Sequence, residues 1–153
     1  ETAAEASDFW GVAVPSQNLR ERMEALRPHA HENVRMVALS KGIENETLLT
    51  MSQVLNDVFE QVPREQIGTL YGPSHAEEVA EGRPTAIVAA SSDATEARRI
   101  QKMFMTERLR VYVNTDVLGV ELGGSAKYVL AIAAGVADGL SSGDTAQAAI
   151  VPR

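Results

Sequence analysis

The 153 residues contain no cysteine, which excludes a disulfide framework, a thiol nucleophile and a cysteine-based zinc site. A basic excess is also missing: the net charge is −7, so nucleic acid is not expected as the main partner, although a local cationic pocket for a small phosphate remains open. The apolar run from Val129 to Ala137 is far shorter than the roughly 20 residues of a membrane span, and no charged-then-apolar leader opens the chain. Neither an integral membrane segment nor a signal peptide is expected, and the lack of cysteine suits the cytoplasm. The glycine-rich G-x-G-x-x-G fingerprint does not occur. His29 and His31 sit beside Pro28 in a solvated loop, and His75 has no second histidine spaced for a metal, so no metal is expected.

What is present is the composition of one ordinary domain or parts of two, with 44% hydrophobic and 23% charged residues. Short apolar runs alternate with helical patterns. Glu1 to Ser7 reads as the tail of a helix. Phe9 to Val14 reads as a strand buried on both faces and stopped by Pro15, with Ser16 capping a helix that lasts to Pro28. Val34 to Leu39 is a second strand and Thr47 to Phe59 a second helix. Gln66 to Leu70 is a third strand, followed by a capping box of Ser74 and Glu77 that opens a helix through Ala80. Thr85 to Ala90 and Leu109 to Val113 are further strands, separated by a helix over Asp93 to Met105. This alternation predicts an α/β layer with a mainly parallel sheet, giving way from Thr115 onward to helices alone.

Asn114 to Leu140 is the most distinctive stretch. Capped by Thr115 or Asp116 and continuous to Leu140, it predicts one helix about 39 Å long. Val129, Ala133, Val136 and Leu140 mark an apolar face. Lys127 stands alone in the middle, sharing its strip with Gly123, Gly124, Ala131 and Ala134, so a small molecule could reach its amine. No acidic residue lies three or four positions away. A poorly hydrated amine without a local ion pair is suited to act as an acid or base near neutrality. The alternative is a lysine that snorkels to water from a helix whose glycines serve packing.

In open α/β sheets, ligands lie beyond the carboxyl ends of strands. Val14-Pro15-Ser16, Ser40-Lys41-Gly42 and Tyr71-Gly72-Pro73-Ser74 occupy such ends. Lys41 offers a cation, and the helix after Ser74 offers free N–H groups. Each has a plain structural explanation as a turn, a solvated lysine or a cap. Combined with Lys127 they predict an anion pocket with two amines.

The series Val12-Ala13-Val14-Pro15-Ser16, Ser40-Lys41-Gly42-Ile43-Glu44, Met51-Ser52, Gly72-Pro73-Ser74, Arg110-Val111-Tyr112, Asn114-Thr115-Asp116, Gly119-Val120-Glu121, Lys127 and Gly135 to Leu140 resembles the NAD(P)-dependent glycerol-3-phosphate dehydrogenases over essentially the whole chain. The resemblance implies an internal fragment lacking the N-terminal glycine-rich turn and the C-terminal helices. Residues 1–114 would be the second half of a Rossmann-like dinucleotide-binding domain, and 115–153 the start of a helical substrate-binding domain. It further implies interconversion of dihydroxyacetone phosphate and sn-glycerol 3-phosphate with NAD or NADP, feeding glycerophospholipid synthesis in the cytoplasm, with a possible homodimer. Lys127 would be the catalytic proton donor and a substrate contact. Lys41 would touch substrate and cofactor, Gly72 and Ser74 the substrate, and Ala76 the cofactor. Tyr128 departs from the asparagine that usually follows the catalytic lysine, and His75 from the usual aromatic. Two other readings stay open: a non-catalytic module of the same fold, and a hydroxyacid dehydrogenase with a lysine on such a helix, where Ala131 stands in place of the asparagine usual four residues on.

Overall fold

The computed structural model describes residues 3–150. Five strands form one sheet in chain order: β1 (Phe9–Val12), β2 (Arg35–Ala38), β3 (Ile67–Tyr71), β4 (Thr85–Ala90) and β5 (Leu109–Asn114). β1, β2 and β3 run parallel, as do β4 and β5, while β4 is antiparallel to β3. The expected mainly parallel α/β sheet is therefore what forms, with one reversal. Helices α1 (Leu19–Leu26), α2 (Met51–Val58), α3 (Ala76–Ala80) and α4 (Ala94–Phe104) join the strands, and α5 (Val117–Ser125), α6 (Lys127–Gly139) and α7 (Asp144–Ile150) follow β5.

Side chains alternate across the sheet, so its faces bury separate clusters. On one face Trp10, Met36, Ala38 and Ile67 pack against Leu19 and Met23 of α1 and Met51, Leu55 and Phe59 of α2 and its end, with the Trp10 and Phe59 rings edge-on at 5.7 Å. On the other, Val37, Leu70, Ile87, Ala89 and Val111 pack against Ile100 of α4. Continuous apolar runs suit β2 and β3 because both of their faces are covered.

The structure departs from several of these expectations. β1 ends at Val12 and leaves Gly11 exposed, because it is an edge strand at the far side of the sheet from α4. Ser16 does not cap; a short 3₁₀ turn over Ser16–Asn18 precedes α1. Ala3–Ala6 form turns rather than a helix, and Glu1 and Thr2 lie outside the described residues, as do 151–153 of the second segment. α2 starts at Met51, where the Gln53 side chain accepts from the Thr50 N–H at 2.9 Å.

The largest correction concerns Asn114 to Leu140, which is two helices meeting at 48° rather than one rod. Asp116 caps the first, accepting from the Gly119 N–H at 2.9 Å. The bend follows Gly123-Gly124-Ser125, a run of poor helix formers of the kind where sharp kinks concentrate. No single helix among the described residues is long and apolar enough to cross a membrane; the bent pair meets the length and composition criteria only jointly. Val129, Val136 and Leu140 of the expected apolar face are exposed, alongside Ile132.

Candidate active site between two lysines

The carboxyl ends of the parallel strands β2 and β3 lie side by side, so the loops that leave them meet. Lys41 follows β2, and its Nζ donates to Ser74 Oγ, beyond β3, at 3.3 Å. This contact explains why the expected Ser74 capping box does not form. The hydroxyl faces the ammonium, His75 takes the cap position, and α3 is only five residues long.

The Lys41 loop is fixed from several sides. Arg20 Nε and Nη2 reach the Glu44 carboxylate at 3.0 Å each, while Nη1 reaches Asp57 at 2.5 Å. The Arg20 guanidinium's hydrogen bonds hold the Glu44 carboxyl below the usual carboxylate range. Gln17 Nε2 donates to the Ile43 carbonyl at 2.8 Å and its Oε1 accepts from the Asn45 N–H at 3.1 Å. Gly42 has φ +149, and a Cβ there would lie 2.6 Å from Ser16 Oγ, so the turn after Lys41 needs glycine.

Tyr71, the last residue of β3, links this loop to α5. Its hydroxyl donates to the Ser40 carbonyl at 2.5 Å. Burial, and next the Glu121 carboxylate, push the phenol up, so it stays protonated as a donor. Glu121 is itself fully buried. It accepts from the Ser52 N–H at 2.9 Å and the Ser52 hydroxyl at 2.6 Å, which ties α5 to the start of α2.

Lys127 opens α6 directly after the bend and lines a cavity of about 620 Å³. Gly123, Gly124, Ala131 and Ala134 form part of the same wall, with Gly72, Val88 and Leu130 opposite or beside them. Among the described residues, Lys127 is the one charged residue in this lining. Its Nζ sits 5.7 Å from the Tyr128 ring centroid, a cation–π distance. The Lys41 amine is lowered from the ordinary lysine range first by burial and then by the positive charge of Lys127, which places the two amines within electrostatic reach of one another. Gly72 has no room for a side chain, since a Cβ would lie 2.6 Å from Ile87 Cγ2. Ala76 is exposed at the start of α3 and does not line the cavity.

Lys41, Ser74, Gly72 and Lys127 are thus gathered at one end of the sheet. Two neighbouring cations beside an apolar hollow can hold an anionic group and deliver a proton to an oxygen next to it. Tyr71, Ser52 and Glu121 went unassigned in the sequence. Tyr71 reads only as the first residue of the turn after the third strand, and nothing local pairs Ser52 with a glutamate 69 residues later.

Comparison with known proteins decides the family. The model described as the NAD-dependent glycerol-3-phosphate dehydrogenase N-terminus matches residues 1–97, and that described as its C-terminus matches residues 116–153. The chain belongs to the NAD-dependent glycerol-3-phosphate dehydrogenase family. Among similar relatives of this dehydrogenase family, glycerol-3-phosphate dehydrogenase [NAD(P)+] 1 of Salinibacter ruber is 79% identical over 153 residues, covering 100% of this chain and 45% of its own. That of Chlorobium chlorochromatii is 50% identical over 142 residues, covering 93% of this chain and 43% of its own. The chain therefore spans about half the length of the curated relatives it matches. The crystal structure of glycerol-3-phosphate dehydrogenase from Coxiella burnetii superposes with a TM-score of 0.79 at 34% identity, over 97% of this chain and 44% of that one. A prephenate dehydrogenase from Aquifex aeolicus, at 12% identity and a TM-score of 0.58, shares the fold alone.

Proposed function

We propose that this chain is part of an NAD(P)-dependent enzyme that interconverts dihydroxyacetone phosphate and sn-glycerol 3-phosphate. Residues 1–114 belong to its dinucleotide-binding domain and 115–153 begin its helical substrate domain. The observation that carries this reading is Lys127 on the wall of an apolar cavity that Gly72 also lines, two residues before the Ser74 hydroxyl that accepts from Lys41.

The residues fit a nicotinamide ring. Apart from Lys127, Tyr71 and Pro73, the cavity is bounded by glycine, alanine, valine and leucine, and a Cβ on Gly123 would meet nothing within 4 Å, leaving open space for a flat, mostly apolar group. When bound, the nicotinamide supplies hydride to the substrate carbonyl carbon or takes it back. This chain's own contribution is binding and proton transfer. Lys41 and Ser74 hold the substrate by charge and hydrogen bonding, and Gly72 keeps the backbone close by having no side chain. Lys127 Nζ donates its proton to the ketone oxygen in reduction and accepts it from the hydroxyl in oxidation. Ala76, exposed at the start of α3, would meet the cofactor outside this cavity. The reading extends to a cytoplasmic enzyme that supplies glycerophospholipid synthesis.

The test is turnover by the full-length protein with NADH or NADPH and dihydroxyacetone phosphate, followed by nicotinamide absorbance. Turnover that requires the phosphorylated ketone is expected. Turnover with 2-oxo acids instead would favour a hydroxyacid dehydrogenase, and none with either would favour a non-catalytic module.

A further inference from the structure

We propose that Tyr71 is a positioning residue that sets the separation of the Lys41 and Lys127 amines, acting on one through the loop backbone and on the other through the end of α5. This rests on the proposed function for its consequence, but the strut itself is a property of the fold.

The hydroxyl of Tyr71 holds the loop at Lys41. It donates to the carbonyl of Ser40, the residue before, so the peptide group that leads into Lys41 is held, which fixes where the lysine side chain starts. The other end of Tyr71 meets the second amine's support. A Cβ on Gly124 would overlap the Tyr71 ring, so the ring lies against the α5 backbone three residues before Lys127. Tyr71 is 1% exposed and is the last residue of a strand paired on both sides, which gives it little freedom to move. It also lines the cavity that holds Lys127. A rigid aromatic residue thus spans the gap between the two cationic elements, where a flexible side chain would leave their spacing loose.

Tyr71→Phe separates the two ends, because it keeps the ring against Gly124 and removes the hydroxyl from Ser40. In the full-length protein the KM for dihydroxyacetone phosphate is expected to rise about tenfold while kcat stays within about twofold, the pattern of lost binding rather than lost chemistry. A second readout does not depend on activity: acetylation of Lys41 by acetic anhydride, measured by mass spectrometry against the exposed Lys102, should become several-fold faster once the loop is released. Unchanged Lys41 labelling overturns the proposal whatever the kinetics, and so does a loss of kcat with no change in KM. If the wild-type protein shows no turnover with dihydroxyacetone phosphate but Tyr71→Phe still unmasks Lys41, the proposed function fails and the strut stands.

Discussion

Lys41 Nζ donates to Ser74 Oγ at 3.3 Å, joining the loops that leave two adjacent parallel strands. The bond is long for a charged donor, and the amine is lowered by burial and by Lys127, so Lys41 is placed for a stronger partner than a serine hydroxyl. A phosphate group supplies one.

Binding of dihydroxyacetone phosphate should therefore take up protons at alkaline pH. An amine lowered below its ordinary range is partly neutral before a free lysine would be, and an adjacent dianion raises it again. Isothermal titration calorimetry of the full-length protein in two buffers of different ionisation enthalpy reads this directly, and Lys41→Met should abolish the uptake and weaken binding. The linkage to stability has the same sign as that of an ion-paired carboxylate: both groups bind protons less well folded than unfolded, so stability rises with pH between the two values. The folded amine binds protons less well than the unfolded one, so its contribution is unfavourable below the folded value and fades as pH rises through the ordinary lysine range.

Glu121 is a buried carboxylate whose two oxygens are both taken by Ser52. Glu121→Ala strands the Ser52 hydroxyl and N–H without an acceptor and should destabilise the fold by about 3 kcal/mol, with Glu121→Gln milder because an amide oxygen still accepts. Urea denaturation midpoints check both variants.

Gly123 and Gly124 are neighbours with opposite constraints. A Cβ on Gly123 meets nothing within 4 Å, whereas one on Gly124 overlaps Tyr71. Gly123→Ala should stabilise α5 by about 1 kcal/mol through helix propensity. It should also reduce activity by narrowing the cavity that Gly123 lines. Gly124→Ala should destabilise the fold by about 1–3 kcal/mol through overpacking. Thermal melts with steady-state kinetics on the same preparations distinguish the two.

Much of this architecture was legible in the residues because short, uniformly apolar runs leave little choice. Thr85–Ala90 is the strand expected, and the helix expected over Asp93 to Met105 runs from Ala94 to Phe104, with Asp93 as its cap accepting from the Thr95 N–H at 2.8 Å. The approach of the β2 and β3 loops followed from parallel pairing. The bend at Ala126 escaped because a glycine pair reads equally well as close packing within a straight helix; only the Tyr71 ring pressing on Gly124 shows what those glycines accommodate. Ser74 misled for a related reason. Its local spacing to Glu77 matches a cap, but a lysine 33 residues away competes for the same hydroxyl and wins. The antiparallel β4 was likewise invisible, since strand direction depends on the route of the α3 connection and not on the strand's own residues.

The most direct measurement is turnover of dihydroxyacetone phosphate by full-length Lys127→Ala, with its urea midpoint recorded alongside. Loss of a general acid predicts a fall in kcat of about 10²- to 10⁴-fold at an unchanged midpoint, partly restored by a small primary amine diffusing into the glycine-walled cavity. Near-normal turnover would contradict a proton-transfer role for Lys127 and leave the two-lysine site as a binding feature without chemistry.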